Sequence, residues 1–229
     1  MENNFTIKKI AEIRNGFTDK FGIPRQSGLC NSVKAQIIFE PEYRIKEAFR
    51  DLEGFSHIWI IWQFSRAADK EWSPTVRPPR LGGNKRIGVF ATRSPFRPNS
   101  LGLSCVKLES IEFSETLGPI LNVLGADLLD GTPIYDIKPY IPYADCKPEA
   151  TEGFTGNKRI YLDVVMSDEI KNSLSEEFLN SITEIIEQDP RPAYQNDPDR
   201  VYKLDFDGFT VSFSVNDTTA HLLKVEKEK

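Results

Sequence analysis

The chain has 229 residues, of which 39% are hydrophobic and 28% charged, and its formal net charge is −5 at pH 7. These values are typical of a globular protein and exclude a disordered or fibrous chain, and no apolar run approaches the roughly 20 residues that a membrane-spanning helix needs. Three cysteines without CxxC spacing argue against a disulfide framework or a zinc site, and the polar start MENNFTIKKI does not fit a signal peptide. We therefore expect a cytoplasmic protein without a bound metal or a membrane partner.

The first two thirds of the chain are predicted to be mostly β-structure. Alternating or continuous apolar runs predict one short helical segment at residues 43–52 and strands at residues 7–13, 33–39, 57–64, 87–92, 103–113, 120–126 and 135–138. Many short strands separated by glycine and proline favour a closed barrel over an alternating α/β sheet. The prediction is a mainly β fold, with a small β-barrel domain over residues 1–147 and a polar linker at residues 148–158.

Residues 159–229 are predicted to form a small α+β C-terminal domain. Ser173 to Glu176 fits a capping box at the start of a helix, which a following proline ends. The apolar face of this helix consists of Phe178, Leu179, Ile182, Ile185 and Ile186. A hairpin turn at Asp207 and Gly208 then joins the first two of three strands, at residues 201–206, 209–215 and 220–225.

Two polar loops rich in proline and glycine lie between predicted barrel strands: VFATRSPFRPNSLG at residues 89–102 and DLLDGTPIYDIKPYIPY at residues 127–143. Proline fixes its own φ and restricts the residue before it, so Arg93 and Arg97 are presented from a stiff backbone. A guanidinium offers a planar fork for a carboxylate or a phosphate; the alternative is an arginine that only supports neighbouring carboxylates. Together the loops predict a rigid polar site.

The second loop carries charged residues beside apolar strand residues. Asp127, Asp136 and Lys138 must be paired or solvated in a cleft, which makes them candidates for binding or chemistry. Asp130, which precedes Gly131, fits a turn former better than a catalytic residue. The chain has two histidines and no HExxH or GxSxG motif, so a hydrolase is disfavoured.

A basic segment leads into the first of these loops. Residues 77–97 contain no acidic residue and carry a charge of +6, which leaves −11 for the rest of the chain, and their basic residues are Arg77, Arg80, Lys85, Arg86, Arg93 and Arg97. Such segregation suits the recognition of a polyanion by one face of the protein. The alternative is a solvated basic loop.

The sequence DPRPAY at residues 189–194 places Arg191 between two prolines and Tyr194 close by. An arginine and an aromatic side chain on a rigid loop suit phosphate contact and base stacking with a single-stranded nucleic-acid loop. The alternative is a proline-rich helix end in which Arg191 pairs with Asp189 or Asp197.

The runs FATRSPFRPNSLG, DLLDGTPIYDIKPY and DPRPAY together resemble the TsaA/TrmO-like family of S-adenosylmethionine-dependent tRNA methyltransferases. IAEIRNGFTDKFGIPRQSG, EGFSHIWIIWQF and VRPPRLGGNKRIGVFATRS extend the resemblance over most of the chain. It implies methylation of N6 of a threonylcarbamoyl-modified adenosine beside the anticodon, and thus the tRNA anticodon loop as partner. It also implies a cofactor-binding β-barrel, a smaller C-terminal domain and a homodimer.

The cofactor that the resemblance implies is S-adenosyl-L-methionine. No GxGxxG motif occurs in the chain, so a barrel must hold this cofactor with side chains and loop backbone instead. The family pattern places it against Arg25, Gln26, Ser27, Ser65, Arg66, Arg93, Leu103, Asp127, Leu128, Leu129 and Asp130. Arg25 or Arg93 would hold the methionyl carboxylate, and Asp127 or Asp130 would accept hydrogen bonds from the ribose hydroxyls or the ammonium.

The sulfonium is an activated methyl donor, so positioning is expected to dominate catalysis. The candidate proton acceptor is Asp136, tuned by Lys138, with the alternative that Asp136 only orders its loop. Tyr140 either hydrogen-bonds the base or packs. Two other classes of function stay open, a non-catalytic RNA-binding module and a regulator that binds S-adenosylmethionine but no tRNA.

Overall fold

The computed structural model describes residues 5–67, 71–78, 85–156, 161–192, 195 and 197–228. Arg80 and Tyr194, both predicted to contact RNA, lie outside these ranges. Within them, no helix is long and apolar enough to cross a membrane.

The N-terminal part of the chain is a closed six-stranded barrel. The barrel strands are β1 (Ala11–Asn15), β2 (Lys34–Phe39), β3 (His57–Gln63), β6 (Leu101–Ser114), β7 (Gly118–Leu124) and β8 (Pro133–Pro139). Between β3 and β6 in the chain lie two short strands outside the barrel, β4 (Thr75–Val76) and β5 (Ile87–Gly88). The barrel order is β1-β2-β7-β6-β3-β8, with β8 pairing back to β1, and every neighbouring pair is antiparallel. β4 and β5 form a separate two-stranded ribbon. The predicted mainly β fold with a closed barrel is confirmed.

Alternation along the strands fills the barrel interior. Successive side chains of a strand point to opposite faces, so β3 buries Ile58, Ile60 and Trp62 while the residues between them face outward. Ile13, Ile37 and Leu121 are fully buried in the same core. The interior is therefore packed with side chains, and a ligand has to bind at an end or on the outside of the barrel.

Two predicted elements in this part of the chain were wrong. The helix expected at residues 43–52 is replaced by short 3₁₀ turns, including Lys46–Phe49 and Leu52–Gly54, because Asp51 between them has a left-handed backbone, with φ of 65°. The strand expected at residues 87–92 is only two residues long. After it the backbone turns, since the Thr92 amide donates to the Val89 carbonyl at 3.1 Å.

The C-terminal part is a four-stranded sheet covered by helices. After the short helix α1 (Pro142–Asp145), its elements are β9 (Asp163–Val165), α2 (Asp168–Ser173), α3 (Glu176–Glu187), β10 (Tyr202–Phe206), β11 (Phe209–Asn216) and β12 (Thr219–Lys227). The sheet order is β10-β11-β12-β9, and β9 runs parallel to β12. The predicted apolar helix face is buried against this sheet at Phe178, Ile182, Ile185 and Ile186 and half-buried at Leu179. The α+β character is confirmed.

The predicted capping box was wrong by two residues. Ser175 caps α3, its Oγ accepting from the Phe178 amide at 3.3 Å, whereas Ser173 is the last residue of α2. The sequence pattern missed α2 because this six-residue helix has a single apolar residue, Ile170, which is too few to show a helical period.

The loop at residues 16–33, between β1 and β2, packs into the C-terminal core. Phe17, Cys30 and Val33 are buried there, and the Phe17 ring lies 5.0 Å from that of Phe206. The loop belongs to the predicted barrel domain by sequence, yet its apolar side chains complete the core of the other part. It is thereby held between the two.

Candidate cofactor cavity and its rim

A cavity of about 520 Å³ opens where β3 ends and β6 begins. The loop at residues 16–33 and the loop after β5 close its sides. Of the eleven residues expected to bind a cofactor, eight line this cavity: Arg25, Gln26, Ser65, Arg66, Arg93, Leu103, Asp127 and Leu129. The structure therefore brings together residues from five separate segments of the chain.

The other three expected cofactor residues do not line the cavity. Ser27 lies next to it, where its Oγ accepts a hydrogen bond from the Cys105 amide at 3.1 Å. Leu128 is fully buried in the barrel core. Asp130 faces away, accepting from the Asn15 amide at 3.0 Å and lying 3.5 Å from Arg14 Nη1, so it acts as a turn residue.

A chain of hydrogen bonds runs from the barrel interior to the carboxylate in the cavity wall. Trp62 Nε1 donates to Ser104 Oγ at 2.9 Å, and Ser104 Oγ donates to Asp127 Oδ1 at 2.5 Å. Burial raises the pKa of Asp127, against the opposing effects of the Ser104 hydrogen bond and of the Arg93 charge. Asp127 is thus a fixed acceptor in a poorly solvated position, where a bound hydroxyl or ammonium gains most.

The arginines near the cavity fall into two groups. Arg97 Nη1 donates to the Thr92 carbonyl at 2.6 Å and Arg66 Nη2 to the Thr18 carbonyl at 3.1 Å, so both guanidiniums stabilise loop backbone. Arg93 is exposed at the wall and bonds to the Gln26 side chain. Arg93 is therefore the guanidinium best placed to meet an anionic group in the cavity, and Arg25 is a second candidate in the same wall, although its Nη2 also donates to backbone carbonyls of the C-terminal part.

Three aromatic residues of the wall were not predicted: Trp59, Trp62 and Phe64. The Trp62 and Phe64 ring centroids lie 4.3 Å apart, and a Cβ at Gly102 would come within 2.3 Å of the Trp62 ring. Glycine is required there because any side chain would displace the indole. The run WIIWQF contained the signal, since it closes the strand predicted at residues 57–64. These rings supply an apolar wall suited to a flat base.

The candidate catalytic residues lie outside the cavity, on the adjoining outer face of the barrel. Asp136 and Leu103 are both paired directly with Ile61, so they share its face and lie two strand spacings apart, about 10 Å. Lys138 Nζ lies 2.9 Å from Asp136 Oδ2, which raises the pKa of Lys138. The Tyr140 ring packs 5.8 Å from that of Trp59, and desolvation raises the pKa of Tyr140.

The residues expected to contact RNA occupy two different environments. Arg77, Lys85 and Arg86 are exposed on or beside the ribbon of β4 and β5. Arg191 is only 7% exposed, and its Nε and Nη2 bond to the two carboxylate oxygens of Asp189 at 2.7 and 3.0 Å. Its guanidinium is therefore engaged inside the protein. Among the described residues, no group of three or more His, Cys, Asp and Glu side chains is arranged to hold a metal ion.

Two family models match the chain in order: the tRNA-methyltransferase O N-terminal domain over residues 12–146 and the TrmO C-terminal domain over residues 161–228. A relative from Eikenella corrodens, named tRNA (adenine(37)-N6)-methyltransferase, is 52% identical over 71% of this chain and 92% of its own length. A relative of the same name from Escherichia coli K12 is 37% identical over 98% of this chain and 99% of its own length.

A further relative, from Pseudomonas aeruginosa, is described as a candidate S-adenosylmethionine-dependent methyltransferase and is 40% identical over 86% of this chain and 87% of its own length. A crystal structure of TrmO from Pseudomonas aeruginosa superposes with a TM-score of 0.80 at 31% identity, covering 99% of both chains. The family resemblance of the sequence motifs is confirmed, and the chain belongs to the tRNA-methyltransferase O family.

Proposed function

We propose that this chain transfers a methyl group from S-adenosyl-L-methionine to N6 of adenosine 37 in tRNA when that adenosine carries a threonylcarbamoyl group. The observation that carries the proposal is the composition of the cavity wall, in which exposed guanidinium groups, a poorly solvated carboxylate and indole rings meet in one chain of this family. The tRNA (adenine(37)-N6)-methyltransferase names of the bacterial relatives support the reaction.

The residues of the cavity fit the proposed cofactor. Its volume of about 520 Å³ is within the range of small-molecule sites, roughly 300 to 1,000 Å³. Arg93 and Arg25 would hold the methionyl carboxylate, and Asp127 would accept from a ribose hydroxyl or the ammonium. Trp62 and Leu103 would contact the adenine. The cofactor, when bound, supplies a methyl group activated by the sulfonium.

The contribution of the protein would be orientation and proton removal. Holding the sulfonium methyl group and N6 in line lowers the activation free energy of methyl transfer by as much as roughly 7 to 11 kcal/mol. Asp136 would accept the proton of N6, with its carboxylate oriented by Lys138 at 2.9 Å. Tyr140 would position the base. The target nucleotide would then approach across the outer face of β8 and β3 toward the cavity.

The exposed side chains of the ribbon would contact the tRNA backbone. Arg77, Lys85 and Arg86 are exposed together with no acidic residue between them in sequence, which suits phosphate contact. Arg97 borders the cavity and would extend this surface, and Arg80 and Tyr194 remain predicted contacts outside the described residues. We also propose that the protein acts in the cytoplasm, which a tRNA substrate would be consistent with.

We also propose a homodimer. Large apolar side chains are exposed near the cavity, at Trp72 (52%), Phe90 (74%), Phe96 (37%), Leu101 (37%) and Leu103 (54%). Exposed apolar patches of this kind mark association surfaces. Light scattering of the purified protein at several concentrations would test the proposal, and a monomeric mass throughout would refute it.

The test of the activity is mass spectrometry of nucleosides from tRNA incubated with the purified protein. Threonylcarbamoylated and unmodified tRNA are compared, each with and without S-adenosylmethionine. A cofactor-dependent gain of one methyl group, on the threonylcarbamoylated nucleoside only, supports the proposal. Binding of tRNA without methylation would favour an RNA-binding module, and binding of S-adenosylmethionine without tRNA binding would favour a regulator.

A further inference from the structure

We infer that Arg191 is a positioning residue: with Asp189 it forms a clamp in the C-terminal part that orients Arg25 in the wall of the cofactor cavity. The inference rests on the proposed function only for the identity of the cofactor. Its physical basis is a set of hydrogen bonds between residues that lie more than 160 positions apart in sequence.

The turn at residues 189–191 is fixed from several sides. Asp189 has a left-handed backbone, with φ of 47°, and its amide donates to the Ile186 carbonyl at 3.0 Å at the end of α3. The Asp189 carboxylate accepts from the Arg191 amide at 3.3 Å as well as from the guanidinium. Prolines on both sides of Arg191 restrict the backbone further. The carbonyl groups of this turn therefore have defined directions.

Two of those carbonyls bind Arg25. Arg25 Nη2 donates to the Arg191 carbonyl at 3.1 Å and to the Asp189 carbonyl at 3.3 Å. Because a guanidinium is planar and rigid, bonds to one nitrogen restrict the orientation of the whole group. The remaining donors of Arg25 then face a defined direction in the cavity wall.

The restraint continues along the wall. The Gln26 side chain donates to the Arg25 carbonyl and accepts from Arg93 Nη1. The clamp is thus joined directly to Arg25 and, through the Arg25 backbone and the Gln26 side chain, to Arg93, the two arginines proposed to hold the methionyl carboxylate. A change in the C-terminal turn should therefore alter cofactor binding, although Arg191 itself does not line the cavity.

Burial distinguishes this role from direct RNA contact. The Arg191 guanidinium lies 5.9 Å from the Tyr202 ring centre and is paired bidentately with Asp189. A buried charge is tolerated only when it is paired, so a phosphate contact would require the clamp to open and leave Asp189 unpaired. Arg191 is therefore placed to stabilise the backbone of the turn at residues 189–191.

The test is calorimetric titration of S-adenosylmethionine into the full-length protein and its Arg25→Ala, Arg191→Ala and double variants. Arg191→Ala should weaken binding about tenfold, the effect of losing the orientation that two hydrogen bonds give. The double variant should bind no more weakly than Arg25→Ala, because Arg191 acts through Arg25. Independent, additive losses would overturn the inference.

Arg200→Ala is the matched control. Arg200 also lies over the Tyr202 ring, at 5.4 Å, but it is exposed on the surface. Its removal should leave cofactor affinity at the wild-type value. Asp189→Asn is a second variant in case Arg191→Ala fails to fold, since asparagine tolerates the left-handed backbone and only the ion pair is lost. Wild-type affinity in folded Asp189→Asn protein would also overturn the inference.

A measurement made in the absence of S-adenosylmethionine tests the clamp independently of the proposed function. In arginine side-chain NMR, the Arg25 guanidinium hydrogens should exchange more slowly with solvent in the wild type than in Arg191→Ala. Equal exchange would overturn the clamp whether or not the protein binds S-adenosylmethionine. Failure of the wild type to bind S-adenosylmethionine, with the exchange difference present, would refute the proposed cofactor and leave the clamp supported.

Discussion

Ser104 donates its hydroxyl hydrogen to Asp127 Oδ1 at 2.5 Å and accepts from Trp62 Nε1, so one buried hydroxyl joins the barrel interior to the carboxylate of the cavity. Because Ser104 is 1% exposed, water cannot replace either bond. The Ser104 hydroxyl therefore contributes both to the stability of the barrel and to the orientation of the Asp127 carboxylate in the cavity.

The substitution Ser104→Ala should lower the free energy of unfolding by about 1 to 3 kcal/mol, because it leaves the Trp62 donor buried without its partner. It should also weaken the binding of S-adenosylmethionine by releasing Asp127. Urea unfolding and calorimetric titration measure the two effects. Ser110→Ala on the same strand is the control, since Ser110 is exposed and its bond to Asn122 can be replaced by water. Equal effects of both variants would contradict the prediction.

Asp127→Asn should change the pH dependence of stability. Burial raises the pKa of Asp127 above the ordinary aspartate value of 3.8, so folding favours the protonated form. The stability contributed by this group is complete below pH 3.8 and is lost as the pH rises through the raised pKa. The asparagine variant has no such loss, and its unfolding free energy should therefore rise relative to wild type across that window. Parallel curves for the two proteins, from urea unfolding at each pH, would refute this.

Arg93→Ala should weaken the binding of S-adenosylmethionine by about tenfold or more, because a hydrogen bond to a charged group is worth about 1.5 to 3 kcal/mol. Arg93 is exposed, so the melting temperature should stay close to that of the wild type. Arg86→Ala on the ribbon is the control and should weaken tRNA binding while leaving cofactor affinity unchanged. The Arg93 assignment fails if the two variants bind the cofactor equally well.

Asp136→Asn should reduce the rate of methyl transfer in single turnover by about a hundredfold or more, the usual range for loss of a general base. Cofactor affinity should be retained, because Asp136 lies about 10 Å from Leu103 on the outer face. Lys138→Met tests the tuning role and should shift the pH profile of the single-turnover rate. A wild-type rate in Asp136→Asn protein would leave Asp136 with only a structural role.

The barrel was predictable because strand periodicity is local. The apolar run of residues 57–64 predicted a strand, and strand alternation places Trp59 and Trp62 on opposite faces, with Trp62 inside the barrel in the structure. The same rule explains why the side chains of DLLD do not all reach the cavity. In an extended segment neighbouring side chains point apart, so Asp127 and Leu129 face the cavity while Leu128 enters the core.

The relations that sequence patterns could not give are those between distant segments. Arg25, Arg93 and Asp127 line one cavity through tertiary packing, and only the family resemblance grouped them. The burial of Arg191 depends on its contact with Tyr202 and on the direction of its side chain, which DPRPAY alone does not determine. The predicted position of the helix cap was wrong because Ser173 and Ser175 are both acceptable cap residues and only packing selects between them.

The loop at residues 16–33 makes a fragment of this protein difficult to prepare. A gene shortened after residue 147 would encode all six barrel strands but would leave Phe17, Cys30 and Val33 without the core that buries them. The exposed loop would carry Arg25 and Gln26 with it, so the shortened product should aggregate or have an incomplete cavity. Expression trials aimed at the cofactor site are better begun with both parts of the chain.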